Sequence, residues 1–394
     1  MCNMKAIGAR ILLHLFVYSL LFVSCQGGED SSSPIFQANI QTVLDSVKFS
    51  EVVESYKYIP LENPPQNKIG DVKQLIVCND LIYVVSDGVY CFDVNGHYKF
   101  SINKKGHAGS EYVQINSVNV FNDKVYLYDN SQWKVLVYDA NNGNFLQKIK
   151  LPYSVVSVFG TENEFLIDRS SLPCTQVTND ERFFVCKQSS LQKTLKCFLT
   201  EPEIKACIEG LISQHSDGYF CTNYWRCMAW KITPQDVSCY FKINIPQKYA
   251  LTEDDITFLH SNGKISTQEL RESNKIWGLT SIQECDNFIT GKIGQGNHPL
   301  YYFFDKVTGK SQFFLSFSGM ESWQLLPANI QCGNKDYFYC IYTADDICLI
   351  RSILGVTGQP KTEIANESKA HQIFSSISEE DGPVVVQYKI RAIE

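Results

Sequence analysis

Short apolar runs, each ended by a polar turn, recur along most of the chain. Residues 81–102 (LIYVVSDGVYCFDVNGHYKFSI) contain an apolar run, a polar turn, a second apolar run, an Asn-Gly turn and a third run. Residues 124–149 repeat this order. Runs of this length that are rich in Val, Ile, Tyr and Phe predict β-strands, and Asn-Gly supplies the positive-φ residues that a tight hairpin needs.

The spacing of the repeats predicts the architecture. Ile82 and Val125 begin equivalent strands and are 43 residues apart, which is the size of one four-stranded propeller blade. In residues 124–129 (KVYLYD) both strand faces are apolar, as expected for a blade between two neighbours. Related segments lie at 157–200, 218–246, 286–317 and 335–354. We therefore predict an all-β fold, a six-bladed β-propeller with four-stranded antiparallel blades.

Two further strands are predicted near the ends of the chain, at 54–61 (ESYKYIPL) and 383–391 (PVVVQYKIR). A ring with an incomplete last blade would leave an unpaired strand edge. We therefore expect a strand from one end of the chain to complete the blade begun at the other. Residues 252–264 and 363–377 have a helical pattern and are predicted to be loop insertions.

The first 24 residues have the layout of an export signal. Lys5 and Arg10 precede an apolar run over residues 11–23, and polar residues follow Cys25. Thirteen helical residues would cover only about 20 Å, less than the roughly 30 Å hydrocarbon core of a bilayer. The segment is therefore predicted to be removed after export.

Residues 22–25 (FVSC) resemble the lipobox of bacterial lipoproteins, in which the cysteine is acylated and becomes the mature N-terminus. The resemblance implies lipidation at Cys25 and a place in the cell envelope of a Gram-negative bacterium, at the outer membrane. The lipid would then be the only membrane contact. An ordinary cleaved signal with an incidental cysteine is the alternative.

The signal divides the chain into three predicted parts. Residues 1–24 are the signal peptide, and residues 25–40 are a flexible tether because QGGEDSSSP has no apolar residue to bury. Residues 41–394 are predicted to form a single propeller domain, since no linker-like stretch divides them.

Charge and cysteine content narrow the classes of partner and site. Removing Lys5 and Arg10 with the signal leaves 33 basic against 42 acidic residues, a net charge of −9, which argues against a nucleic-acid partner. The fifteen cysteines include Cys2 and Cys25, and the other thirteen contain no C-x-x-C pair. Buried thiols are the favoured interpretation. One or two disulfides and a zinc site are the alternatives.

The repeats and the segment 104–112 (KKGHAGSEY) resemble the six-bladed β-propeller lipoproteins with NHL-like blades, many of which are domains of unknown function. That family tends to have Gly-x-Gly-Pro-Gly-Glu-Tyr at this position. Gly106, Glu111 and Tyr112 match the motif, whereas residues 108–110 (AGS) depart from it. A glycine-rich phosphate cradle would precede a helix, but this segment precedes a strand, so a blade-to-blade corner is predicted.

The resemblance also raises the possibility of an enzyme. NHL-like lyases use a histidine-ligated metal in the propeller channel, so His107, His215 and His298 are the residues to test. Their spacing does not support a metal site, and neither a metal nor another cofactor is predicted. Adjacent acidic residues at 252–256, 344–347 and 378–382 are interpreted as solvated loops.

An aromatic and basic cluster supplies the candidate ligand site. Tyr224, Trp225 and Arg226, with Trp133 at the matching turn of its blade, are suited to stack against sugar rings or other planar groups. We favour a membrane-anchored binding or assembly module for a glycan or another envelope protein. The alternative is a channel-mouth enzyme, either a polysaccharide lyase or a hydrolase. Oligomeric state is left open.

Overall fold

The structure, a computed structural model, describes residues 35–65, 68–168, 183–196, 212–215, 218–223, 227–233, 237–255, 272–279, 282–296, 298–327, 329–354 and 369–394. Within these ranges, six separate sheets of mainly antiparallel strands are the blades of a six-bladed β-propeller. The fold predicted from the sequence repeats is therefore confirmed.

The described strands are short and are numbered along the chain. Their bounds are β1 Phe36–Asn39, β2 Val43–Lys48, β3 Val53–Pro60, β4 Gln74–Cys78, β5 Leu81–Val85, β6 Val89–Asp93, β7 Tyr98–Ile102, β8 Ser117–Phe121, β9 Lys124–Asp129, β10 Lys134–Asp139, β11 Phe145–Lys150, β12 Ser157–Gly160, β13 Glu164–Asp168, β14 Phe183–Lys187, β15 Lys193–Lys196, β16 Ile212–His215, β17 Gly218–Asn223, β18 Met228–Ile232, β19 Val237–Asn244, β20 Ile276–Trp277, β21 Ile282–Glu284, β22 Phe288–Gln295, β23 His298–Asp305, β24 Ser311–Ser318, β25 Cys332–Asn334, β26 Tyr337–Tyr342 and β27 Val384–Ile390. The described helices are α1 Phe49–Val52, α2 Ala344–Ile353 and α3 Lys369–Ser376.

Most blades use consecutive strands. Blade 1 contains β4 to β7, blade 2 contains β8 to β11, blade 3 contains β12 to β15 and blade 4 contains β16 to β19. Blade 5 contains β20 to β24, with β20 and β21 both paired to β22. Blade 6 combines β25, β26 and β27 with the early strand β3.

The ring is closed by pairing between the two ends of the chain. β3 and β27 are antiparallel, and their register runs from Pro60 opposite Val384 to Val53 opposite Ile390. Beyond the strand ends, Leu61 N–H donates to the Pro383 carbonyl at 2.9 Å. The predicted closure by these two segments is confirmed.

The strands β1 and β2 extend this arrangement to two more blades. β1 pairs in parallel with β19 at the edge of blade 4, and β2 pairs in parallel with β24 at the edge of blade 5. Residues 36–39 were predicted to lie in the tether, but they form β1 because Ala38 is fully buried and Phe36 packs edge-on against Tyr240 at 5.3 Å. The N-terminal strands thus cover the edges of three consecutive blades, which would otherwise be open to pairing with other chains.

The hydrophobic cores lie between adjacent blades. On β5, Tyr83 and Val85 pack in a cluster shared with blade 2, whereas Ile82 and Val84 pack in a cluster shared with blade 6. Side chains alternate between the two faces of a strand, so both faces must be apolar when a neighbour covers each one. This is the reason for the continuous apolar runs in the sequence.

Polar contacts join the inner strands of blades 2 to 4. Asn119 on β8 donates to the Gly160 carbonyl at 2.7 Å and accepts from Gly160 N–H at 2.8 Å. Its amide also donates to the Tyr219 hydroxyl at 2.9 Å. A Cβ atom at residue 160 would lie 2.3 Å from the Tyr126 ring, so this close approach requires glycine. Asn119 therefore links the first strands of blades 2 and 3, β8 and β12, and joins them to β17, the second strand of blade 4.

The described turns and helices agree with several of the predictions. Gly96 and Gly143 have φ of +92° and +71°, as the Asn-Gly hairpins require. Helix α3 lies within the predicted helical segment 363–377, whereas residues 256–264 of the other predicted helix lie outside the described residues. None of the described helices is long and apolar enough to cross a membrane.

The repeat predicted to start within residues 335–354 is present as β26 of blade 6, but its strand pattern ends at residue 342. Residues 344–353 form α2, because Thr343 and Asp346 make a capping box at its start. The Thr343 hydroxyl accepts from Asp346 N–H at 3.1 Å, and the Asp346 carboxylate accepts from Thr343 N–H at 2.9 Å. These bonds satisfy amides that have no partner within the first helical turn.

The described cysteines behave as small apolar residues. Cys91, Cys227 and Cys340 are fully buried in the cores, and burial raises the pKa of each of these thiols to about 12. The described cysteines form no disulfide with one another. Seven of the ten described cysteines are buried and follow the buried-thiol interpretation, whereas Cys78, Cys332 and Cys348 are partly exposed. Cys174, Cys197 and Cys207 lie outside the described residues.

Candidate functional site

The link between blades 1 and 2 meets a hairpin of blade 2 at one end of the blades. Neighbouring strands in a blade are antiparallel, so the chain leaves β7 at the same end at which it turns from β9 to β10. We call residues 103–116, between β7 and β8, the corner, and residues 130–133, between β9 and β10, the Trp133 turn.

The corner is folded around the carboxylate of Glu111. This carboxylate accepts from Ala108 N–H at 2.9 Å, and a Cβ atom at residue 106 would lie 2.0 Å from its Oε2 atom. Gly106 N–H donates to the Tyr112 carbonyl at 2.9 Å. The Ala108 amide, which could have bound an anion, is therefore occupied by the Glu111 carboxylate of the same chain. The predicted blade-to-blade corner is confirmed.

Tyr112 fastens the corner to blade 1. Its buried hydroxyl donates to the Asp87 carbonyl at 2.9 Å, while the Asp87 carboxylate accepts from the Tyr90 hydroxyl at 2.7 Å and pairs with Lys105 at 3.3 Å. Partial burial alone would raise the pKa of Asp87, but the bonds from Tyr90 and Lys105 outweigh it and lower the pKa. Asp87 thus remains ionised and holds the corner on this side.

Blade 2 holds the other side of the corner. The fully buried carboxylate of Asp129 accepts from Val113 N–H at 2.8 Å. The Gln132 amide donates to Asp129 at 3.0 Å and to the Gly106 carbonyl at 3.1 Å. Lys134, only 4% exposed, donates to the carbonyls of Ala108 and Glu111. These bonds fix the Trp133 turn against the corner.

The turn presents Trp133 to solvent. Trp133 has φ of +50°, an uncommon conformation for a bulky residue, and its side chain is 43% exposed. Leu151 N–H donates to the Trp133 carbonyl at 2.7 Å, which holds the backbone in place. The Lys150 ammonium lies 5.9 Å from the ring centroid, within the range of a cation–π contact. A rigid, partly exposed indole is a surface on which a ring can stack.

The equivalent position in blade 4 is occupied by Cys227. It too has φ of +50°, and its carbonyl accepts from Ile243 N–H at 3.0 Å, as Trp133 does from Leu151. The Cys227 side chain is fully buried. The two turns therefore share a backbone conformation but not an exposed aromatic residue at that position. The other predicted ligand residues, Tyr224, Trp225 and Arg226, lie outside the described residues, as does Cys25.

Three lysines beside Trp133 were not singled out from the sequence. Lys134 lies directly opposite Lys150 in the pairing of β10 with β11, and Lys148 lies two residues before Lys150. Burial lowers the pKa of Lys134, and the charges of Lys148 and Lys150 lower it further, against the opposing effect of Asp129. The signal available in the sequence was the alternating KIK at 148–150, together with an aromatic residue immediately before the facing strand.

Two of the three histidines considered as metal ligands, His107 and His298, lie within the described residues and in different parts of the ring. His107 is exposed on the corner, and His298 is exposed at the start of β23 in blade 5. The side chain of His215 lies outside what the structure describes. Among the described residues, no group of three or more His, Cys, Asp or Glu side chains is arranged to hold a metal ion.

The paired acidic residues have local structural roles. In each of the three pairs, the last Asp accepts from the backbone N–H of a Thr or Ser three residues earlier: Asp255 from Thr252, Asp346 from Thr343 and Asp381 from Ser378. The three distances are 2.7, 2.9 and 2.7 Å. These carboxylates satisfy backbone amides at turns and at the start of a helix.

Comparison with known proteins places the chain in a family. It is similar to a presumed exported protein of Bacteroides fragilis, with 15% identity and a TM-score of 0.69 over 91% of this chain and all of that one. It is also similar to a DUF4221 family member of Bacteroides vulgatus, with 9% identity and a TM-score of 0.50 over 87% and 99% of the two chains. At such low identities these likenesses concern the fold. No curated protein matches the sequence. The model of one family matches residues 35–389, and the chain therefore belongs to that family, a domain of unknown function, DUF4934.

Proposed function

We propose that the protein is a lipid-anchored binding module of the bacterial cell envelope that holds a glycan against Trp133. The observation that supports this most directly is the indole itself, which is 43% exposed in an uncommon backbone conformation. Such conformations persist where the surrounding structure holds them, and they cluster at ligand sites. Here Asp129, Gln132 and the corner supply that support.

A sugar suits this surface chemically. One side of a pyranose ring is lined by C–H groups and can pack on an aromatic ring, while its hydroxyls remain hydrated. Removing a central aromatic anchor from an interface commonly costs more than 1 kcal/mol. We therefore expect Trp133→Ala to weaken glycan binding about tenfold, which corresponds to about 1.4 kcal/mol.

The test is a glycan-array screen with the full chain in detergent, followed by calorimetry on any ligand found. Leu146→Ala is the matched control, because Leu146 is 51% exposed near the start of β11 whereas Lys150 at its end contacts Trp133. Binding that Trp133→Ala retains in full would remove Trp133 from the site. Capture of an envelope protein without any glycan would favour the assembly role, and turnover of a glycan would favour an enzyme.

Membrane anchoring is the second part of the proposal. It rests on the lipobox-like residues 22–25 and agrees with the export presumed for the similar protein of B. fragilis. Acyl chains contribute about 0.8 kcal/mol per buried CH₂ group, so two or three chains hold a protein stably. We expect Cys25→Ala either to release the protein from membranes or to leave its signal unprocessed. A processed Cys25→Ala protein that still sediments with the outer membrane would contradict the proposal.

A further inference from the structure

Three lysines lie on the same side of blade 2, and the ammonium of one of them, Lys150, contacts Trp133. Residues directly opposite each other in an antiparallel pair share a face, so Lys134 and Lys150 point to the same side of the sheet. Lys148 shares this face because side chains alternate along a strand, and it lies about 6.6 Å along the strand from Lys150. Its ammonium is 4.0 Å from the position of a Cβ atom at Gly109, so it reaches the corner.

Lys148 and Lys150, the two exposed lysines of this group, are not paired with an acidic side chain of the described residues. Lys148 and Lys150 are both exposed, and no carboxylate in the described ranges lies within 4.0 Å of either ammonium. The nearby acids Glu111 and Asp129 are committed to backbone amides of the corner. Like charges opposite each other destabilise a sheet, and here they occur in a chain whose net charge is negative.

We propose that the surface formed by Trp133, Lys148 and Lys150, which we call the Trp133 site, selects acidic glycans, namely polysaccharides with carboxylates on their sugar rings. Lys148 and Lys150 bind those carboxylates. The proposal rests on the glycan-binding function and adds the ligand class. Both parts of such a ligand have a binding partner on this surface. The indole packs against the C–H face of a sugar ring, and the ammonium groups pair with the carboxylate. A bound carboxylate would also offset the repulsion among the three lysines.

An anionic membrane surface could supply the negative charge but matches the site less well. An indole can also lie at a membrane interface, but two exposed lysines are fewer than the roughly four to eight clustered Lys or Arg residues of segments that bind anionic lipid. In addition, the lysines are spaced along one strand edge and are not clustered on an amphipathic helix, as they are in segments that bind anionic lipid. The small number of lysines and their position on a strand therefore favour the polysaccharide as the occupant.

The experiment compares each acidic polymer with its own methyl ester. Polygalacturonate, alginate and hyaluronate are titrated by calorimetry into the full chain in detergent, at low and at high salt. The methyl esters keep the sugar rings but remove the charge. The test variant is Lys148→Gln with Lys150→Gln, and its matched control is Lys57→Gln with Lys99→Gln, two exposed lysines on the outer strands β3 and β7.

We expect at least one acidic polymer to bind about tenfold more tightly than its ester, since two exposed ion pairs contribute up to about 1 kcal/mol each. This preference should disappear in the Lys148/Lys150 variant and at high salt, and it should persist in the control. A Lys148→Arg, Lys150→Arg variant should retain it, because the charges remain.

Three results would overturn the inference. If acid and ester bind equally and Trp133→Ala weakens both, the lysines do not select charge, although the proposed glycan-binding function stands. If no polymer in either form binds and the neutral glycans of the array also fail, the proposed function falls as well. If vesicles of anionic phospholipid bind through Lys148 and Lys150 while the polymers do not, the site is a membrane contact.

Discussion

Removing the last strand should prevent folding, because β27 closes the ring. The perturbation is deletion of residues 383–394. It leaves β3 without a partner and exposes the edge of β26, to which β27 pairs on its other side. The loss is therefore not confined to one hairpin, since it separates blade 6 from the N-terminal strand and opens the cores that blade 6 shares with blades 5 and 1.

The expected magnitude follows from the burial of β27. Five of its apolar side chains are at most 4% exposed: Val384, Val385, Val386, Tyr388 and Ile390. Burying one such side chain contributes about 1.5–3 kcal/mol, so the five together contribute roughly 8–15 kcal/mol as an upper estimate. Whole proteins are stable by about 5–15 kcal/mol. The deletion therefore removes an amount comparable to the entire stability.

The assay is soluble yield together with thermal unfolding followed by circular dichroism. Deletion of residues 392–394 alone is the control, because these residues follow the last strand. A graded version is Val385→Ala, which removes two methyl groups at a fully buried position and should cost about 1.5–3 kcal/mol. Val307→Ala, at a position 77% exposed, should change little. An unchanged melting temperature after deletion of 383–394 would refute the closure argument.

Three further predictions test turns, an ion pair and the thiols. Gly309→Ala should lower the free energy of unfolding by about 1–2 kcal/mol, because φ at residue 309 is +71°. Gly96→Ala should lower it more, because its Cβ atom would also lie 2.0 Å from a carbonyl oxygen of β3. Urea unfolding of the two variants would rank these losses. The bond to Glu62 raises the pKa of His97 above 6.5, so the stabilisation is present below that pH and is lost as pH rises through the raised value. NMR titration should show this pKa falling in Glu62→Gln. Iodoacetamide should label Cys91 only after unfolding, since burial raises its pKa to about 12. Rapid labelling of Cys91 itself in the native protein, located by peptide mass spectrometry, would contradict this.

The departures of the corner from the family motif remove none of its described backbone hydrogen bonds. The two amides that matter are those of residues 106 and 108, which donate to the Tyr112 carbonyl and the Glu111 carboxylate. The family pattern has proline at the position of Gly109, and proline has no N–H to donate. The described contacts of the corner do not use the Gly109 amide, so exchanging these residues removes no bond.

The sequence alone determined the repeating parts of this protein. Strand pattern and turn residues are local properties that recur from blade to blade, and the 43-residue spacing of the first two repeats is the size of one blade. The all-β class, the six blades and the closing strands could therefore be predicted. The corner, which contains the motif at 104–112, was predictable from local sequence too, because a glycine-rich segment that leads into a strand is not a phosphate site at a helix N-terminus.

The tertiary structure alone decided the contents of the site and the course of the N-terminal strands. Lys134 and Lys150 are far apart in a pattern read along the chain, and only the register of β10 against β11 places them opposite each other beside Trp133. Likewise, nothing local shows that residues 36–39 pair with β19, more than two hundred positions away. Strand pairing between distant segments depends on which edges remain free after the blades have formed, and that is a property of the assembled ring.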